Sequence, residues 1–63
     1  MANLTKYNKI LDALQNLMES RNIQTISVSE IAQPAGMGKG SIYYYFRSKD
    51  AMLEALIERN YEK

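Results

Sequence analysis

Sixty-three residues with 8 lysines and arginines against 7 acids, no cysteine and no histidine make one small domain of net charge +1. The composition excludes a disulfide framework and removes the usual zinc ligands and the commonest general base, so neither enzyme, metal nor cofactor is expected. No apolar run approaches the roughly 20 residues that span a bilayer, so a cytoplasmic protein with no membrane partner is expected.

The first periodic stretch places Ile10, Ala13, Leu14, Leu17 and Met18 at i, i+3, i+4, i+7 and i+8, the stripe of an amphipathic helix. It predicts a helix over about residues 5–20, with Thr5 as N-cap and Asn22 in the left-handed conformation just past its end. Next, Ser27-Val28-Ser29-Glu30 fits a capping box, with Ile26 and Ile31 as hydrophobic staple. The helix it starts is predicted over 28–34, because Pro34 lacks a backbone donor and disfavours helical geometry at Gln33. Ala35-Gly36-Met37 reads as a tight turn with Gly36 at positive φ.

A third helix is predicted over about 39–46 and a fourth over 48–61, capped by Ser48 and favoured by Asp50 in its first turn. In the fourth, Met52, Leu53, Leu56, Ile57 and Tyr61 form the apolar stripe, while Asp50, Glu54, Glu58 and Glu62 form an acidic row that reads as a solvated face. No segment alternates like a strand, so the fold class is all-α. A short helix, a glycine turn and a second short helix match the spacing of a helix-turn-helix. Periodicity alone leaves an ordinary αα-hairpin equally open.

Charge is unevenly distributed. Residues 36–49 carry +3 and residues 50–63 carry −2. The basic segment also holds three consecutive tyrosines. If Ile42 and Phe46 face inward, then at 100° per residue Tyr45 lies beside them, Gly40 and Tyr44 point outward, and Ser41 and Tyr43 flank. Such a surface suits a nucleic acid. The Gly36-Met37-Gly38-Lys39-Gly40-Ser41 run only superficially suggests a phosphate-binding P-loop, since Gln33 takes the place of its first glycine and no strand precedes it.

Ile10-Leu11-Asp12-Ala13, Ser27-Val28 with Ile31-Ala32, Ala35-Gly36, and Lys39-Gly40-Ser41-Ile42-Tyr43-Tyr44-Tyr45-Phe46 followed by Ser48-Lys49 resemble the TetR family over about residues 7–59. These are bacterial transcriptional regulators, usually repressors. The resemblance implies a homeodomain-like three-helix DNA-binding domain plus the start of a fourth helix. It also implies that residues 1–63 lack the C-terminal domain that binds a small-molecule effector and forms the homodimer. The partner it implies is double-stranded DNA, as a palindromic operator read with the third helix in the major groove.

By the same resemblance, Ser27 and Ser29 hold a phosphate at the start of helix two, and Lys39 reaches a phosphate or guanine edge. Gly40 permits close backbone approach, and Ser41 contacts a base edge or thymine methyl. Tyr43 and Tyr44 offer hydroxyls and ring area, Tyr45 divides between core and contact, Lys49 holds a further phosphate, and Lys6, ahead of helix one, touches the adjacent backbone. Two positions depart from the family pattern: Gly38 stands where a serine commonly caps the recognition helix, and Pro34 where a charged or small residue is usual. The alternative function is a protein-interaction module docking through the apolar face of helix 48–61.

Overall fold

Each of the four helices has an end marked by local hydrogen bonds, and the tertiary arrangement follows from which faces those helices have left to bury. The computed structural model describes residues 2–61, with side chains from residue 5 to 61. Glu62, the last member of the expected acidic row, lies outside the described residues. The order is α1 (Ala2–Met18), a short 3-10 helix (Ile23–Thr25), α2 (Val28–Ala35), α3 (Lys39–Tyr45) and α4 (Lys49–Tyr61), with no strand among the described residues. The fold is all-α, as the patterning indicated.

α1 is longer at its start than expected. It begins at Ala2, so Thr5 lies inside the helix rather than capping it, and Lys6 sits on the helix rather than ahead of it. Its buried face is also wider than the stripe, because Leu11 joins Ile10, Ala13 and Leu14 in the core while Leu17 and Met18 are only half-buried. Past Met18, Arg21 N–H closes on the Leu17 carbonyl at 3.1 Å. Asn22 does not take the left-handed conformation. Its φ of −76° and ψ of 140° make it the N-cap of the 3-10 helix, with its side-chain oxygen accepting from Gln24 N–H. Arg21 explains part of this path: its guanidinium donates to the Thr25 carbonyl and pairs with Glu30, drawing the linker against the start of α2.

The capping box of α2 is formed in full. Glu30 N–H donates to the Ser27 hydroxyl at 3.2 Å and Ser27 N–H donates to the Glu30 carboxylate at 2.8 Å. Pro34 does not end this helix, which continues through it to Ala35. Proline costs the ladder one donor, to the Glu30 carbonyl four residues earlier. A Schellman ending takes over one residue later: Gly36 N–H bonds the Gln33 carbonyl and Met37 N–H bonds the Ala32 carbonyl, both at 3.1 Å. Gly36 has φ 73°, the left-handed value the turn requires. The turn is therefore Gly36-Met37-Gly38, one residue later than expected, and Met37 packs half-buried against the core as this motif favours.

α3 is short because Phe46 leaves helical geometry, with φ −137° and ψ 129°, while its N–H still bonds the Ile42 carbonyl at 2.9 Å. Phe46 is buried all the same and stacks tilted on Tyr7, ring centroids 5.1 Å apart. α4 starts on the Ser48 hydroxyl, which accepts from Ala51 N–H at 3.2 Å. The core gathers Ile10, Leu11 and Leu14 of α1, Ile26 of the linker, Ile31 of α2, Ile42 of α3 and Met52 of α4, each at or near zero exposure. Further along α4, Arg59 reaches α1 at Asp12 (3.1 Å), Gln15 (2.9 Å) and Asn8 (3.3 Å).

Candidate nucleic-acid interface

The surface is built on α3, whose seven residues are anchored by one fully buried side chain, Ile42, and by Phe46 just past its end. With Ile42 inward, helical geometry turns the opposite face out. Lys39, Gly40 and Ser41 are exposed, Tyr43 is 47% exposed and Tyr44 is 81% exposed. The phase expected from the sequence holds at each of these positions. Tyr45 is half-buried against the core, and its ring meets Tyr44 edge-on at 5.2 Å and 87°, so the outer tyrosine stands against the inner one.

The first turn of α3 is open. Gly38 adopts extended geometry as N-cap but gives no side-chain hydrogen bond, which leaves the first backbone N–H groups of α3 without a capping side chain. A Cβ placed on Gly40 would meet no atom within 4 Å. Internal packing therefore does not require glycine there, although glycine in a helix costs about 1 kcal/mol relative to alanine. The missing side chain leaves the backbone of α3 approachable from outside.

Around α3 the other candidate residues fall into two groups. Ser27 and Ser29 are exposed at the start of α2, with the Ser27 oxygen engaged as acceptor in the cap and its hydroxyl hydrogen left to donate. Lys6 is exposed on α1, one residue before the Tyr7 ring that packs on Phe46, so it belongs to the part of α1 that meets the α3–α4 corner.

Lys49 is placed differently from a free basic side chain. Its Nζ donates to the Ile23 carbonyl at 3.0 Å and to the Ile26 carbonyl at 2.7 Å, and the residue is half-buried. A cation in the first turn of a helix opposes the macrodipole. Here two carbonyl dipoles from the linker offset that, and the starts of α2 and α4 are drawn together. The nearby Arg47, to which the sequence pattern assigned no role, is exposed. Its +1 was visible in the segment charge, but only the inward turn of Lys49 singles it out.

At the start of α2 the charge state of Glu30 is set by its partners. The Arg21 guanidinium, then the Ser27 backbone N–H, hold its carboxyl well below the usual range, at about 2, so it remains ionised and internally paired. Among the described residues there is no group of three acidic side chains placed to hold a metal, and no helix is long and apolar enough to cross a membrane.

A short helix, a three-residue glycine turn and a second short helix exposing its outer face form a helix-turn-helix. The sequence model of the bacterial regulatory proteins of the tetR family matches residues 10–56, about three quarters of the chain. The chain belongs to the TetR family. Among curated relatives, it is 42% identical over 50 residues to the HTH-type transcriptional regulator EthR of Mycobacterium tuberculosis, a match covering 79% of this chain and 23% of that protein. It is 38% identical over 53 residues to the uncharacterized HTH-type transcriptional regulator YvdT of Bacillus subtilis, covering 84% of this chain and 27% of the relative. To EthR of Mycolicibacterium smegmatis it is 41% identical over 49 residues, covering 78% and 23%. This TetR-family chain thus spans about a quarter of the length of these relatives. No solved structure gives a significant match.

Proposed function

We propose that this chain is the DNA-binding module of a bacterial transcriptional repressor and that α3 enters the major groove of double-stranded DNA. The observation that carries this reading is the outer face of α3, where Lys39, Ser41, Tyr43 and Tyr44 surround a glycine that the chain's own packing does not need. Lys39 supplies charge to a phosphate or a guanine edge, and Ser41 meets a base edge or thymine methyl. Tyr43 and Tyr44 give hydroxyls to phosphates and ring area to sugars. Ser27 and Ser29 hold a phosphate at the start of α2, where backbone N–H groups and the helix dipole favour an anion. Lys6 and the half-buried Tyr45 lie at the margin.

Family membership supports the remainder of the reading. The full regulator acts in the cytoplasm as a homodimer on a palindromic operator, the two-fold symmetry matching two half-sites. A small-molecule effector acts through a further helical domain. The rival reading, docking of a protein partner on α4, draws on Ile57 and Tyr61, which are 56% and 88% exposed. Binding to random duplex DNA as salt rises separates the two. A DNA module loses affinity linearly on logarithmic axes, with a slope of about −0.9 per phosphate contacted. A folded protein whose association does not respond to salt belongs to the α4 reading instead.

A further inference from the structure

Two cations flank Ser48 at the corner between α3 and α4, and they are not equivalent. The Lys49 ammonium has spent two of its three donors on the Ile23 and Ile26 carbonyls. Ile26 is itself fully buried next to the capping residue Ser27, so the bond joins the corner to the start of α2. Arg47 is exposed and makes no hydrogen bond or ion pair with any described residue. Phe46 before it is extended and buried, whereas Arg47, in the bend that follows, is on the surface between the end of α3 and the Ser48 cap of α4.

We propose that Arg47 supplies the phosphate contact at the α3–α4 corner, and that Lys49 is a positioning residue that holds this corner against α2. The inference rests on the DNA-binding reading proposed above and assigns a different residue to one of its contacts. Arginine is well suited to such a contact, because its planar fork keeps five donors and its charge at every accessible pH, and it pairs with phosphate oxygens in a bidentate geometry. An ammonium already shared between two carbonyls presents less charge outward and fewer free donors. Losing it removes two hydrogen bonds to the linker, which alters where α4 begins relative to α2.

The test is the salt dependence of binding to a random-sequence duplex, measured by fluorescence anisotropy on the 63-residue chain for four proteins. These are wild type, Arg47→Ala, Arg47→Lys and Lys49→Met, each shown to be folded by circular dichroism at the temperature used. Arg47→Ala is expected to lower the magnitude of the log–log slope by about 0.9, the share of one phosphate, and Arg47→Lys to restore it. Lys49→Met is expected to bind more weakly at every salt concentration with the wild-type slope. An unchanged slope in Arg47→Ala overturns the proposal, and so does a reduced slope in Lys49→Met. If Lys49→Met does not fold, the two Arg47 variants still decide whether Arg47 makes the contact. Wild-type protein that shows no salt-dependent binding removes the DNA-binding reading itself, and this inference with it.

Discussion

Ser27 and Glu30 hold each other by reciprocal bonds, the Glu30 N–H reaching the Ser27 hydroxyl at 3.2 Å and the Ser27 N–H reaching the Glu30 carboxylate at 2.8 Å. The same carboxylate pairs with Arg21, so a single acid both caps α2 and ties down the linker that precedes it. Because its pKa lies at about 2, below the ordinary value of 4.5, the folded state holds the charged form more firmly than the unfolded chain does. The stabilisation is therefore complete above about pH 5 and is lost as pH falls from there towards 2.

Replacing this acid by its amide keeps a cap acceptor and removes the ion pair. Glu30→Gln is expected to lower the urea midpoint at neutral pH, with the gap to wild type closing between pH 5 and pH 2. Both side chains are partly exposed, so added salt is expected to narrow the same gap. A gap that stays constant down to pH 2 would show that the ion pair contributes nothing to it.

Gly36 is the one described residue with positive φ. A Cβ there meets no neighbouring atom, so the penalty of Gly36→Ala is backbone strain alone. It is expected to lower unfolding free energy by about 1–2 kcal/mol. Gly36→Asn is expected to lose less, since asparagine tolerates this conformation better than alanine. Equilibrium urea denaturation measures both.

Gly40 behaves in the opposite way. Its substitution by alanine is expected to raise stability by about 0.5–1 kcal/mol, because alanine is the better helix former and the site is open. The same change is expected to weaken DNA binding, by placing a methyl group where the groove approaches the backbone. Calorimetric melting and duplex titration together check it. A variant that is more stable and binds equally well removes Gly40 from the interface.

Tyr44, exposed and held against Tyr45, separates recognition from folding. Tyr44→Ala is expected to change stability by no more than about 0.5 kcal/mol, as for surface substitutions generally. It is expected to shift the preferred sequence in a selection from random duplexes, as is Ser41→Ala, whereas loss of a phosphate contact weakens all sequences alike.

Features decided within four residues were legible in the sequence. The capping box, the positive φ of Gly36, the Ser48 cap and the inward phase of Ile42 and Phe46 all depend on near neighbours. What escaped was decided by distant ones. Asn22 looks like a helix C-cap, but Arg21 pulling on Thr25 and Glu30, and Lys49 reaching back to Ile23 and Ile26, hold residues 21–26 in a different path. Leu11 falls outside a simple stripe, and the stripe rule does not anticipate that α1 packs against both α2 and α4. Pro34 reads as a stop, yet the Schellman bonds of Gly36 and Met37 secure the final turn beyond it. The inward turn of Lys49 follows from the same long-range contacts, which its residue type alone does not reveal, and the positioning role proposed for it above is argued from them.

Whether the outer face of α3 meets DNA is read residue by residue by amide chemical-shift mapping at low salt. On titration with a duplex, the expected shifts concentrate at residues 39–44, with smaller ones at Ser27, Ser29 and Arg47, and they collapse as salt is added. Shifts confined to α4 around Ile57 and Tyr61, with α3 unmoved, would contradict it.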